Sequence, residues 1–242
     1  GLSWDGPVVY QSARHSLYEE ALVSLRQQGH LFDCGCSRKE IAESAMPGES
    51  TAVYPGTCRN GLAPGRSPRS VRVRSQAIEI SVHDRLQPAF SQQLESDVGD
   101  FIVHRADGLF SYQIAVVVDD AEQRISHIVR GADLLDSTPR QIYLQQLLGL
   151  PVPDYMHLPV AVNADADKLS KQTHALPVDT GNGRDVVIDV LRYLHQPLPE
   201  SPRDASLDEL WHWAIEHWDS TAIPVQHSLA TPAAYIATGR KP

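Results

Sequence analysis

All three cysteines of the chain, Cys34, Cys36 and Cys58, fall within residues 30–75. That stretch is rich in Gly, Pro, Ser and Arg and holds little apolar material for a core of its own, so a bound metal would supply cohesion that side-chain burial cannot. Two thiolates one residue apart, as in Cys34-Gly35-Cys36, can grip one ion. A third, ending Tyr54-Pro55-Gly56-Thr57-Cys58, closes the site, and zinc takes four ligands in a tetrahedron. Tyr54, His30 and a water are the candidates for the fourth position, and three unrelated buried thiols are the alternative. Three thiolates make zinc electron-rich, and no Glu or His stands ready to activate a metal-bound water, so a hydrolytic role is not expected. An odd number of cysteines behind no secretory signal argues against a disulfide framework and for a reducing, cytoplasmic setting.

Composition is ordinary for a globular protein: 242 residues, 42% hydrophobic and 21% charged. No apolar run is long enough to span a bilayer, so no membrane is expected as a partner. The N-terminus, GLSWDGPVVYQSARH, has no initiator Met and reads as sequence from within a domain. The net charge of −9 argues against bulk electrostatic attraction to RNA. From Arg59 to Arg74, however, the chain carries Arg59, Arg66, Arg69, Arg72 and Arg74 and no acid. That run is either a local basic patch able to hold nucleic acid or a solvated loop and strand.

Periodicity predicts a helix over 16–28, with Leu17, Ala21, Leu22 and Leu25 on one face and Gly29 as the stop. Alternation through Val71, Val73, Ala77, Ile78, Ile80 and Val82 predicts half-buried antiparallel strands. The β-branched run Ile114–Val118 reads as a strand covered on both faces, as in a parallel sheet. Strands are also expected over 125–129 and 157–162. Between them a helix is expected to start at Ser137-Thr138-Pro139, with Ser137 as N-cap, and to stop at Gly149. Strand, helix, strand suggests half of a doubly wound α/β domain. Beyond Asn163 the chain reads as helical. Val187, Val190, Leu191 and Leu194 form one stripe, and Ser206 with Glu209 forms a capping box ahead of Leu210, Trp211, Ala214 and Trp218. The tryptophans are expected in a core rather than as a stacking platform.

Three further segments carry chemistry. Lys168-Leu169-Ser170-Lys171-Gln172 sits in a polar loop after a predicted strand, where lysines can follow phosphoryl oxygens. Nucleotides bind at the carboxyl ends of such strands. Arg130, ending a predicted strand beside Gly131, could present its fork to a carboxylate or tie down Asp133 or Asp136. Tyr112 could hydrogen-bond a polar substrate or cap the core.

In this order, WDGPVVYQSARH, CGC, YPGTCR, DGLFSYQIAVVVDD, VRGADLLDSTPRQ, VPDYMHLPVAVN and KLSKQ resemble the glutamyl-queuosine tRNA(Asp) synthetases, shortened relatives of glutamyl-tRNA synthetase. The resemblance fades after about Leu176 and returns weakly at DSTAIP. It implies an α/β class I synthetase catalytic domain of Rossmann type, its first half incomplete, with a zinc-binding insertion and a C-terminal helical subdomain. The expected divisions are 1–29 (end of the first Rossmann half), 30–105 (insertion), 106–162 (second half) and 163–242 (KLSKQ loop and helices resembling a stem-contact subdomain). The resemblance implies that Cys34, Cys36, Tyr54 and Cys58 are zinc ligands and that Tyr112 and Arg130 contact glutamate. KLSKQ corresponds to the second class I signature, with Leu169 for Met and Gln172 for the last Ser. Lys168, Ser170 and Lys171 are then expected to contact ATP, Lys171 being the catalytic lysine. The first signature, an HIGH-like segment, is not found and is expected ahead of Gly1. The implied partners are L-glutamate, ATP accompanied by Mg2+, and queuosine-containing tRNA(Asp), acted on by a monomer. Only 70 residues follow Gln172, too few for the anticodon-reading domain of a glutamyl-tRNA synthetase. The core of such an enzyme is the alternative, and a non-catalytic, zinc-stabilised RNA-binding module is the reading from another class.

Overall fold

The structure, a computed structural model, describes residues 3–43, 53–170, 173, 175–231 and 235. Helix α1 (His15–Gln27) buries Tyr18, Ala21, Leu22 and Leu25, the one-sided spacing of a helix lying on a core. It ends on left-handed Gly29, with His30 N bonded to Leu25 O and Gly29 N to Arg26 O, so the last carbonyls are satisfied as the helix stops.

Strand β1 (Leu31–Cys34) then leads into a short helix α2 (Arg38–Glu43). Strands β2 (Ser70–Val73), β3 (Glu79–Val82), β4 (Phe90–Gln93) and β5 (Phe101–His104) follow. They form an antiparallel sheet ordered β1-β2-β5 and a hairpin β3-β4, the half-buried alternation expected between Val71 and Val82.

Helix α3 (Tyr112–Glu122) corrects the reading of Ile114–Val118 as a strand. A β-branched run has only a weak intrinsic preference, and packing overrides it. Ile114, Ala115 and Val117 are buried. Arg14 reaches both Asp119 and Glu122, carboxylates three residues apart that share a side only on a helix. Tyr18 Oη donates to the buried Asp119 at 2.9 Å. The helix stops on Arg124, which takes the left-handed conformation with φ 57° where a glycine would be expected.

Strand β6 (His127–Gly131) and β7 (Asp154–Leu158) are parallel, joined through helix α4 (Thr138–Leu148). This is the predicted crossover unit. Pro139 lies in the first turn of α4 and Gly149 ends it at φ 66°. Ser137 is not the side-chain cap that was expected: it closes a preceding 3-10 turn, and its hydroxyl receives Gln113. The predicted third strand divides at Pro159 into β7 and β8 (Val160–Val162). One hydrophobic core runs from α1 through the antiparallel strands to α3, α4 and Tyr155.

Helices α5 (Gly183–Tyr193) and α6 (Leu207–Glu216) bury Val187, Ile188, Leu191, Leu210 and Ala214 against each other. The Ser206–Glu209 capping box is present. Trp211 packs against this core, whereas Trp213 stacks on His217 and Trp218 is exposed. An unforeseen strand β9 (Ser228–Ala230) returns to pair in parallel with β8. Among the described residues no helix is long and apolar enough to cross a membrane.

The helical assignment of 112–122 has a direct energetic test. Ile114→Ala removes a fully buried side chain and is expected to cost about 2–5 kcal/mol in urea unfolding. Glu122→Ala removes only an exposed ion pair and is expected to cost less than about 1 kcal/mol.

Candidate active site and metal centre

Arg130 and His157 are cross-strand partners at the carboxyl ends of β6 and β7, the edge at which open α/β sheets bind ligands. Arg130 Nε donates to His157 Nε2 at 3.0 Å. Its Nη2 donates to Thr138 Oγ1 at 2.9 Å and reaches Leu134 O at 3.5 Å. Nη1 donates to Tyr112 Oη at 3.3 Å. Tyr112 and Arg130 are therefore brought together, although Tyr112 opens a helix rather than a strand. Arg130 forms no ion pair among the described residues: Asp133 pairs instead with Lys168, and Asp136 accepts Arg140 only through its main-chain oxygen. The Nη1–Tyr112 bond lies at the exposed side of the cluster, and Tyr112 is 46% exposed. A charged N–H beside a phenol is suited to a carboxylate oxygen.

Behind Arg130 lies a fully buried pair. His157 Nδ1 is 2.5 Å from Asp84 Oδ2, and both side chains are 0% exposed. Burial, aided by the positive Arg130, pushes His157 below its ordinary value, and the opposing pull of Asp84 and Asp133 does not reverse it. Burial works against the Asp84 carboxylate, yet bonds from His157 and from the main-chain N–H groups of Gln87, Leu86 and His157 outweigh it and leave its pKa lowered. Sequence reading missed Asp84, His157 and Thr138. The signal was a histidine inside an otherwise apolar strand, Tyr155 to Val160, and an aspartate ending the alternation of β3.

The start of the KLSKQ segment is held at the same edge. Lys168 Nζ is 2.5 Å from Asp133 Oδ2, just beyond β6. Lys168 also bridges to Val162, and Leu169 N bonds to Ala161 O. A Cβ at Gly131 would stand 2.5 Å from Asp133 Oδ1, the end of a side chain that would have to shift. Ser170 N bonds to Thr173 Oγ1 at 2.8 Å. Lys171 and Gln172 lie outside the described residues.

The cysteines form a separate centre. The sulfurs of Cys34, Cys36 and Cys58 lie within 4.8 Å of one another, with Cys36 and Cys58 3.6 Å apart. Metal–sulfur bonds of zinc length set tetrahedral S···S edges of about 3.8 Å, so the spacing fits one ion. Tyr54 Oη is 3.3 Å from Cys34 Sγ and 3.7 Å from Cys36 Sγ, and it accepts Cys58 N–H at 2.8 Å. Tyr54 thus lies against the three sulfurs, and His30 is not in the cluster. Burial raises the Cys34 thiol, but bonds from Tyr54 and Cys36 N–H together with nearby Arg72 bring it down to about 7. The three cysteines could hold a metal.

The arginine run divides between an exposed loop over 63–69, which carries Arg66 and Arg69, and strand β2 with its flanks, where Arg72 is buried. Arg72 lies 3.9 Å over the Tyr54 ring, and Arg74 lies 5.0 Å over Phe32. Arg59 pairs with buried Asp100, and Arg66 pairs with Glu40. Arg69 is exposed.

The family described as tRNA synthetases class I (E and Q), catalytic domain, matches residues 1–189. A glutamyl-Q tRNA(Asp) synthetase of Dechloromonas aromatica is 51% identical over 235 residues, 96% of this chain and 78% of that protein. One of Aromatoleum aromaticum is 48% identical, covering 100% of this chain and 76% of that protein. In fold, the chain is similar to a glutamate tRNA ligase from Elizabethkingia meningosepticum solved in complex with its amino acid. The TM-score is 0.69 at 19% identity, over 95% of this chain and 53% of that one. With a class I catalytic sequence over most of its length, an α/β architecture to match and close relatives along nearly the whole chain, the protein belongs to the glutamyl-Q tRNA(Asp) synthetase family of class I ligases.

Proposed function

We propose that this chain activates L-glutamate with ATP and transfers it to queuosine in the anticodon of tRNA(Asp). A glutamate carboxylate attacks the α-phosphorus of ATP, giving glutamyl-adenylate and releasing pyrophosphate. A hydroxyl of the queuosine cyclopentene-diol then attacks the adenylate carbonyl and AMP leaves. The observation that carries the reading is the open Arg130–Tyr112 pair at the carboxyl edge, a few residues from the Asp133–Lys168 tether. In this reading Arg130 and Tyr112 grip glutamate. Lys168, Ser170 and Lys171 attend the phosphates, with Mg2+ as the companion of ATP and Lys171 balancing charge that develops on the leaving pyrophosphate. Catalysis is positioning and charge stabilisation without a protein nucleophile. The enzyme acts as a cytoplasmic monomer. Zinc on Cys34, Cys36, Tyr54 and Cys58 supplies cohesion to a segment with few apolar residues and takes no part in the chemistry.

A grip on a carboxylate that does not react strengthens ground state and transition state alike, so its loss appears in KM rather than kcat. Arg130→Lys is expected to raise the glutamate KM roughly ten- to hundredfold, from about 1.5–3 kcal/mol of charged hydrogen bonding, with the ATP KM nearly unchanged. Tyr112→Phe should raise it a few fold. Pyrophosphate exchange in the full-length enzyme reads both. A variant that merely melts earlier, with an unaltered glutamate KM, would assign Arg130 to structure alone. For the metal, elemental analysis of protein purified without added zinc should give one zinc per chain. In Cys58→Ala the zinc should be lost, with faster amide exchange in β1 and β2 and little change in α4 and β7. Absence of zinc in the unmodified protein would defeat that assignment.

A further inference from the structure

We propose that Asp84 and His157 are positioning residues for Arg130, fixing the imidazole in the one tautomer that can receive the guanidinium. The proposal rests on the reading of Arg130 as the glutamate contact. Asp84 Oδ1 accepts three main-chain N–H groups, from Leu86 at 2.9 Å, Gln87 at 2.8 Å and His157 at 3.1 Å. That leaves Oδ2 for His157 Nδ1, 2.5 Å away. An ionised carboxylate only accepts, so Nδ1 must carry the ring hydrogen and Nε2 must be a bare lone pair. Nε2 then accepts Arg130 Nε–H at 3.0 Å. Thr138 Oγ1 accepts Arg130 Nη2 at 2.9 Å and lies 3.3 Å from Nε2, so it holds the other side of the same guanidinium.

This relay uses the Nε and Nη2 side of the guanidinium and leaves Nη1 beside Tyr112. It also orients the arginine through a neutral ring. A carboxylate bonded directly to Arg130 would cancel the charge that an incoming carboxylate must find. Two other acids stand near. Asp120 on α3 feels the charge of Arg130 but takes no hydrogen bond from it among the described residues, and Asp133 is engaged by Lys168.

Asp84→Asn is the discriminating change because it is isosteric and alters only what the second oxygen can do. Three main-chain donors hold the Asn carbonyl at the Oδ1 position, so the amide NH2 faces Nδ1. The ring must then accept there and carry its hydrogen on Nε2, where it opposes Arg130 Nε–H. In the full-length enzyme the glutamate KM is expected to rise at least tenfold. The ATP KM and kcat at saturating glutamate should change less than threefold. The increase should vanish when Asp84→Asn is made in an Arg130→Lys background.

Nitrogen-15 NMR of the histidine rings, with His157 identified by its loss in His157→Gln, should show Nδ1–H in the unmodified protein and Nε2–H in Asp84→Asn. An Nε2–H ring in the unmodified protein overturns the proposal even if Asp84→Asn fails to fold. So does a folded Asp84→Asn with the normal glutamate KM while Arg130→Lys raises it. If Arg130→Lys also leaves KM unchanged, the reading of Arg130 as the glutamate contact falls, and this proposal with it.

Discussion

The Asp84 carboxylate is sealed from water and must find every hydrogen bond inside the protein. It does so by joining two segments distant in sequence. The chain leaving β3 bridges in parallel to Tyr155, and Arg85 N bonds to Tyr155 O, so the antiparallel portion adds a short third edge to the β6–β7 pair. Gln87 strengthens the seam by donating to His157 O at 2.8 Å and to Gln226 O at 3.0 Å. Much of what stands at the carboxyl edge depends on that junction: the depth at which β7 sits, the orientation of His157, and through it Arg130. Burying a charge this way is tolerable only because its acceptor capacity is met by four donors.

The arginines show the same economy of charge. The chain is acidic overall, yet three arginines of its most basic stretch, Arg59, Arg72 and Arg74, are spent on internal partners. Arg72 covers one face of the Tyr54 ring while Phe32 leans on that ring at 6.2 Å, so the phenol is held among the three sulfurs. Arg59 satisfies Asp100, which also receives Ser75 N and Ser75 Oγ, tying the loop after Cys58 to β5 and to the turn after β2. Arg59, Arg72 and Arg74, used to hold a poorly apolar segment together, are not available as a phosphate-binding patch.

Much of this was legible in the sequence where one residue type has one physical use. Gly29 and Gly149 marked helix ends because only left-handed backbone closes those turns cheaply. Cys34, Cys36 and Cys58 announced a cluster by spacing, while Tyr54 was singled out only by the family resemblance. Alternation announced β2 and β3, and β6-α4-β7 followed from pattern and length. The run at 114–118 was misread because β-branched residues suit either a strand or a buried helix face. The deciding facts, Arg14 on Asp119 and Glu122, lie about a hundred residues apart. Helix ends at Arg124 and His195 were equally invisible, since neither residue advertises the left-handed conformation it takes. The Asp84–His157 pair was missed for a similar reason: each residue is unremarkable alone, and their meeting is a product of topology.

The β8–β9 pairing has a consequence for how this architecture tolerates change. Val160 to Val162 and Ser228 to Ala230 lie side by side, so everything between them, including α5 and α6, is an excursion with both ends clamped. The entropy of closing such an excursion grows only as the logarithm of its length, and doubling it costs about 0.6 kcal/mol. The helical pair also keeps its own small core, and among the described residues only the end of α5, at Tyr193 and Leu194, packs with Met156 and Leu158 of β7. Insertions, deletions and exchanged surfaces are therefore thermodynamically inexpensive around α5 and α6, though not at Lys168, which is tied to Asp133. A lineage can remodel what the helices present to the outside while the carboxyl edge, pinned by β8 and β9, stays as it is.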